Sequence, residues 1–185
     1  MDSSLEQTLV YHCAPALVGI KPSNLISCDL AQYPDLDLHL EELNARLNQQ
    51  GIFFRILCRC ENRAMLLVYR RSVLERHLLE VENAAFLFQA GYPVGSLEDT
   101  LSHLAQRLAL EDFPHESGIF LGYPLADVKG FLRHRGRNCK LCGYWKVYHD
   151  PESAQALFQR FDRCRAALCA QVAKGKTISQ LFRAA

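Results

Sequence analysis

Several features are missing from this sequence, and each absence excludes something. No apolar run approaches the roughly 18 residues that a helix needs to span a bilayer. The opening stretch, "MDSSLEQTLVYHCAPALVGIKP", has no basic leading region and carries Glu6 early, so no secretory signal is expected. There is no internal repeat and no low-complexity tract. Neither charge sign dominates: 21 Lys and Arg stand against 20 Asp and Glu, a net charge of +1. The chain is therefore not a polyanion binder through bulk charge, and a nucleic-acid role is not expected. No linker rich in Gly, Ser or Pro divides the 185 residues, so residues 1–185 are read as a single globular domain. Eight cysteines are too few for a disulfide scaffold of this length. Without a signal, a cytoplasmic, reducing setting is expected, with the cysteines as thiols, metal ligands or core residues.

What is present reads as helices alternating with strands. "SLEQTLVYHC" is a helix, followed by a broken stretch at "APALVGIKPSN", and "LISC" is a short strand. In "LDLHLEELNARLNQQG", Leu36, Leu40, Leu43 and Leu47 recur at helical spacing, with Gly51 as the stop. Two β-rich runs flank Glu61-Asn62-Arg63, which predicts a hairpin. Ser72 with Glu75 predicts a long helix ending near Gly91, and Ser96 caps another with Leu97, Leu101, Leu104 and Leu108 on one stripe. "GIFLG" reads as a short buried strand, Pro124 as the first position of a helix, and "GYWKVY" as a strand. Asp150-Pro151-Glu152 starts a helix whose buried stripe is Leu157, Phe161, Cys164 and Leu168, and "TISQLFRA" is a terminal helix. The expected fold class is α/β (or α+β). One mixed β-sheet of about four to five strands, including the hairpin, would carry packed helices.

Three segments hold residues suited to chemistry. In "HCAP", Pro15 fits the first turn of a short helix "PALVG". Cys13 would then sit near exposed amides that lower a thiol's pKa, as a nucleophile requires. The plainer reading, a small core residue, is the stronger on residue type alone. In "FPHE", His115 is a base or ligand by type and Glu116 a carboxylate able to tune it. A loop capping the sheet is the even alternative. After "GIFL", the turn at Gly122 and Tyr123 would lie at a strand's C-terminal end, where open α/β sheets bind ligands, although a packing turn is the simpler account. His39, His77 and His103 fall in amphipathic helices and are expected at the surface.

"RHRGRNCKLCGYWK", residues 133–146, holds Arg133, Arg135, Arg137, Lys140 and Lys146 and no acid. Such a stretch suits a phosphate or carboxylate ligand, with Tyr144 and Trp145 available to stack on a planar group. A solvated loop is the ordinary reading. Cys139 and Cys142 have knuckle-like spacing, but tetrahedral zinc needs four ligands, and the candidate second pair, Cys58 and Cys60, has a C-x-C spacing that points both to the same face of a strand.

Taken in order, "HCAPALVGIKPSNLIS", "FPHESGIFLGYPLADVKGF" and "NCKLCGYWKVY" resemble the signature stretches of domain of unknown function 3793, a family found mostly in anaerobic Gram-positive bacteria. The resemblance covers nearly the whole chain. It implies a small cytoplasmic bacterial protein and no particular reaction. It also implies that the position of Cys139 is usually cysteine while that of Cys142 varies, which favours a lone thiol over a metal knuckle.

Three functions are open at this point, and the first is the favoured one. The first is a thiol-dependent enzyme or redox protein acting on a small anionic substrate. Cys13 would be the nucleophile, Cys139 a second thiol, His115 with Glu116 the base, and Lys21 and Lys146 the anion holders. The second is a non-catalytic binding module for an anionic ligand or cofactor, using Gly122, Tyr123, Arg137, Trp145 and Lys146. The third is a zinc or iron protein drawing on His12, Cys13, His115, Cys139 and Cys142. No membrane partner is expected, and no cofactor or oligomeric state is indicated. The reading turns on whether Cys13, His115 and Cys139 meet in space.

Overall fold

A computed structural model describes residues 3–110 and 112–182. Three strands, β1 (Ser23–Asp29), β2 (Ile52–Cys60) and β3 (Arg63–Arg70), form an antiparallel sheet in the order β1-β3-β2. The predicted hairpin is there: Glu61 and Asn62 join β2 to β3, with Glu61 at φ 48°. Register shifts at a bulge between Ile56 and Cys58.

The side chains of β3 alternate as a two-residue period demands. Ala64, Leu66 and Val68 face one apolar cluster, and Leu67 and Tyr69 face another. The sheet is thus covered on both sides. The first cluster takes Leu5, Leu9, Cys13 and Leu17 from helix α1 (Ser3–Leu17) and the four predicted leucines of α2 (Leu36–Leu47). The long α8 (Pro151–Ala173) and the short α9 (Ile178–Leu181) close it with Val172 and Ile178. Helices α3 (Arg71–Leu78), α4 (Val81–Gln89) and α5 (Leu97–Leu108) build the second cluster together with α6 (Ser117–Phe120) and α7 (Leu125–His134). A small second sheet, β4 (Leu141–Cys142) with β5 (Lys146–Val147), lies antiparallel and packs on α8 through Trp145, Phe158 and Phe161.

The mixed helix-and-strand class is as expected, and the described residues form five strands, but these divide three and two. Every pairing is antiparallel, which makes the arrangement α+β. Local readings differ in four places. "GIF" belongs to the helix α6 with Leu121 as its C-cap, because a four-residue apolar run carries no period that separates strand from helix. "GYWKVY" contributes only Lys146 and Val147 to a strand. The helix from Ser72 breaks at Leu79-Glu80 into α3 and α4, and no side chain caps α3. Finally, "PALVG" opens no helix of its own. Pro15 lies inside the last turn of α1, where its carbonyl accepts from both Ile20 and Lys21 N–H groups at 3.0 and 3.1 Å. Arg70 Nε reaches Leu17 O at 2.9 Å, satisfying another of the carbonyls a helix end leaves free. The caps at Ser96 and Asp150 form as read, each accepting from the backbone N–H three residues on.

Candidate binding pocket

The pocket arises where α6 and α7 face the β4–β5 hairpin. Asp127, in the first turn of α7, fastens the two together. Its buried carboxylate accepts from Trp145 Nε1 at 2.8 Å and from the Tyr148 and His149 amides at 2.7 and 2.9 Å. A carboxylate has the lone pairs for three such bonds, and the negative charge strengthens each one. Trp145 is held by this bond, by a stack on Tyr123 with ring centres 5.0 Å apart, and edge-on to Phe158.

Between these elements lies an opening of about 410 Å³. Its rings come from Phe113, His115, Tyr123, Phe131 and Trp145, and its polar lining includes Lys146 and Cys142. Phe113 and His115 are exposed at the rim, while Asp127, Val128 and Trp145 form a buried floor. His115 leans on Phe131, ring centres 4.8 Å apart. Lys146 Nζ donates to Gly136 O at 2.6 Å and lies 6.0 Å from the Phe131 ring centre.

The predicted residues separate into those the pocket gathers and those it does not. His115, Tyr123, Trp145 and Lys146 line it. Cys13 does not: it sits inside α1, about one turn from its C-terminal end and fully buried, and burial pushes its thiol well above the usual range. The expectation of a helix-start cysteine with a lowered pKa is therefore corrected, because α1 runs straight through "HCAP". His12 points the other way, exposed and edge-on to Tyr11.

Glu116 is not the partner of His115. It is buried, and its Oε1 accepts from Tyr92 OH and from Arg107 Nε and Nη2 at 3.1–3.2 Å, where it ties the loop to α5. That geometry holds Tyr92 above the ordinary tyrosine range, through burial first and then Glu116. Lys21 is 4% exposed. Its Nζ lies over the Tyr123 ring, 5.4 Å from the ring centre, and Lys21 is not among the residues lining the pocket. Burial pulls its pKa down to about 8, with Cys13 partly offsetting the effect.

Gly122 follows a helix and not a strand, so the strand-end argument for it falls. Its φ of 71° and a Pro22 Cδ only 2.5 Å from where a Cβ would stand make it a packing turn. Arg137 is exposed beside the pocket, and Cys139 is half-buried outside its lining. Cys13, His115 and Cys139 do not meet in this pocket.

Among the described residues, no three His, Cys, Asp or Glu side chains gather as a metal would require. Nor, among those residues, is any helix long and apolar enough to cross a membrane.

Sequence reasoning missed Asp127 and Phe131, which read only as helix residues. Their spacing of four places them on one helix face, which was the available signal. It also placed His77 and His103 at the surface. Both are half-buried: His77 Nε2 lies 3.0 Å from Ile119 O, and His103 packs edge-on to Tyr92.

Residues 9–182 match the model of a family described as Protein of unknown function (DUF3793). The chain belongs to that family. Searches of curated proteins and of solved structures return no match. The family match takes in α7, the hairpin and every pocket residue named above, so the pocket lies wholly within the family's domain.

Proposed function

We propose that this chain is a non-catalytic binding module for a small, planar, anionic molecule. The convergence of five aromatic or imidazole rings and one ammonium group on a single opening of about 410 Å³ carries this reading. Pockets of this size suit small ligands when apolar walls surround a few fixed polar groups. Ring edges and faces at Phe113, His115, Phe131 and Tyr123 favour a flat guest, and Lys146 supplies its countercharge. Lys146 is already oriented by Gly136 O, so little side-chain entropy is lost on binding.

Thiol chemistry is the less favoured alternative. Its proposed nucleophile, Cys13, is sealed in the core, and only the shared rim position of Cys142 and His115 supports it.

The test uses the chain's single tryptophan, at the pocket floor. Naphthalene-2-carboxylate is titrated while Trp145 emission is followed. A saturable change with Kd of roughly 1 mM or below is expected, the level that a fragment reaches at about 0.3 kcal/mol per heavy atom. Lys146→Ala weakens it. A response that stays linear, or that is equal in Lys146→Ala and the parent, removes the reading.

A further inference from the structure

Beside the pocket, the loop after α7 carries charge that the protein itself leaves unused. Arg133, Arg135 and Arg137 are all exposed. Among the described residues none of the three is in an ion pair, whereas Arg55, Arg59, Arg71, Arg107 and Arg165 each face a carboxylate. Arg133 is accounted for by its place in the last turn of α7, where a cation meets the negative end of the helix. Arg135 and Arg137 lie beyond that turn and have no such account.

The loop that holds them is fixed. Gly136 N–H donates to Phe131 O at 3.2 Å and Arg137 N–H to His134 O at 3.0 Å. Arg135 and Gly136 take φ of 50° and 74°, the left-handed conformation that turns the chain back toward the hairpin. A Cβ on Gly136 would meet Phe131 Cε2 at 3.1 Å and Lys146 Nζ at 3.2 Å. Phe131 and Lys146 are pocket residues, so the two arginines flank a glycine pressed against the pocket wall. No acid occurs in the sequence between Asp127 and Asp150, and Asp127 is spent on the hairpin.

We infer that the ligand of this pocket carries a phosphate, which Arg135 and Arg137 receive at the rim while its planar part enters between Phe131, His115 and Tyr123. This deepens the binding reading proposed above and rests on it. Guanidinium groups form paired, charge-assisted bonds to phosphate oxygens, and a fixed loop presents two of them at small entropic cost. Lys146 serves as the inner charge and the arginines as the outer pair, which discriminate a phosphate ester from its neutral parent.

The experiment is calorimetric titration of the full chain at about 0.15 M salt, where exposed charges are screened beyond about 8 Å. The probes are two matched pairs, adenosine with adenosine monophosphate and riboflavin with its 5′-phosphate, plus naphthalene-2-carboxylate. The proteins are the parent chain and the double variant Arg135→Ala/Arg137→Ala, whose changes lie on exposed positions. In at least one pair the phosphate is expected to bind about tenfold or more tighter than its parent compound. The double variant removes that advantage and leaves naphthalene-2-carboxylate within about twofold. If the carboxylate binds but neither pair shows a phosphate preference, or the preference survives in the double variant, the phosphate assignment is wrong and the pocket reading stands. If no probe binds, the carboxylate included, both fall together.

Discussion

The two sheets of this molecule are held by different forces. The three-stranded sheet is buried on both faces, and apolar side chains from the surrounding helices do most of the holding. The two-stranded hairpin has only two paired residues per strand, too few to stand alone. It is positioned by one buried carboxylate, Asp127, and by aromatic packing on α8. Where apolar burial dominates, candidate groups such as Cys13 are sealed. Where a polar clasp holds a short hairpin off a helix, an opening remains. The pocket is a consequence of the weaker form of attachment.

Asp127→Ala probes that contrast most severely. It leaves the Trp145 indole and two backbone amides without their acceptor, a loss of about 4 kcal/mol. Urea unfolding followed by Trp145 emission and by far-ultraviolet circular dichroism should show the hairpin loosening before the large sheet. Coincident transitions would mean that the two regions form one cooperative unit.

Lys21 gives the next effect, with opposite sign. Its pKa is about 8 in the folded chain against 10.5 ordinarily. Between those values the unfolded chain binds more protons, so stability rises with pH there, and the penalty of the buried ammonium is felt in full below pH 8. Lys21→Met is expected to stabilise the fold by about 2 kcal/mol at pH 7, allowing for the lost contact with Tyr123. The gain should shrink steadily as pH rises toward 10. An equal gain at pH 7 and pH 9.5 would contradict the assignment.

Lys146→Ala should be milder, about 1 kcal/mol, because only one charged hydrogen bond to Gly136 O is lost. Thermal unfolding measures it, and a larger drop would make Lys146 structural before it is functional. The smallest effect is on stability and the clearest on chemistry. Iodoacetamide should modify exposed Cys60 and Cys142 in the native chain, leave buried Cys13 and Cys28 untouched, and barely move the melting temperature. Peptide mass mapping reads the outcome, and rapid native labelling of Cys13 would break the contrast between sealed and open regions.

Much of the large sheet was legible from sequence. The leucines of α2, the Glu61-Asn62 turn and the caps at Ser96 and Asp150 are set by neighbours a few residues away, which local patterns record. The site was legible in part. His115, Tyr123, Trp145 and Lys146 stood out by residue type, but the role given to Glu116 failed because its partners, Tyr92 and Arg107, lie 24 and 9 residues away. Cys13 failed for a related reason. Proline usually marks a helix start, yet here Pro15 is accommodated in a final turn sealed by Arg70 from a distant strand.

By itself the sequence determined which segments are helical or extended wherever a period of 3.6 or 2 runs long enough, and which residue types were available for binding. Tertiary structure alone decided which of those residues share a space. Side-chain direction and solvent access depend on elements far apart in the chain, so the same local chemistry became core at Cys13 and pocket wall at Lys146.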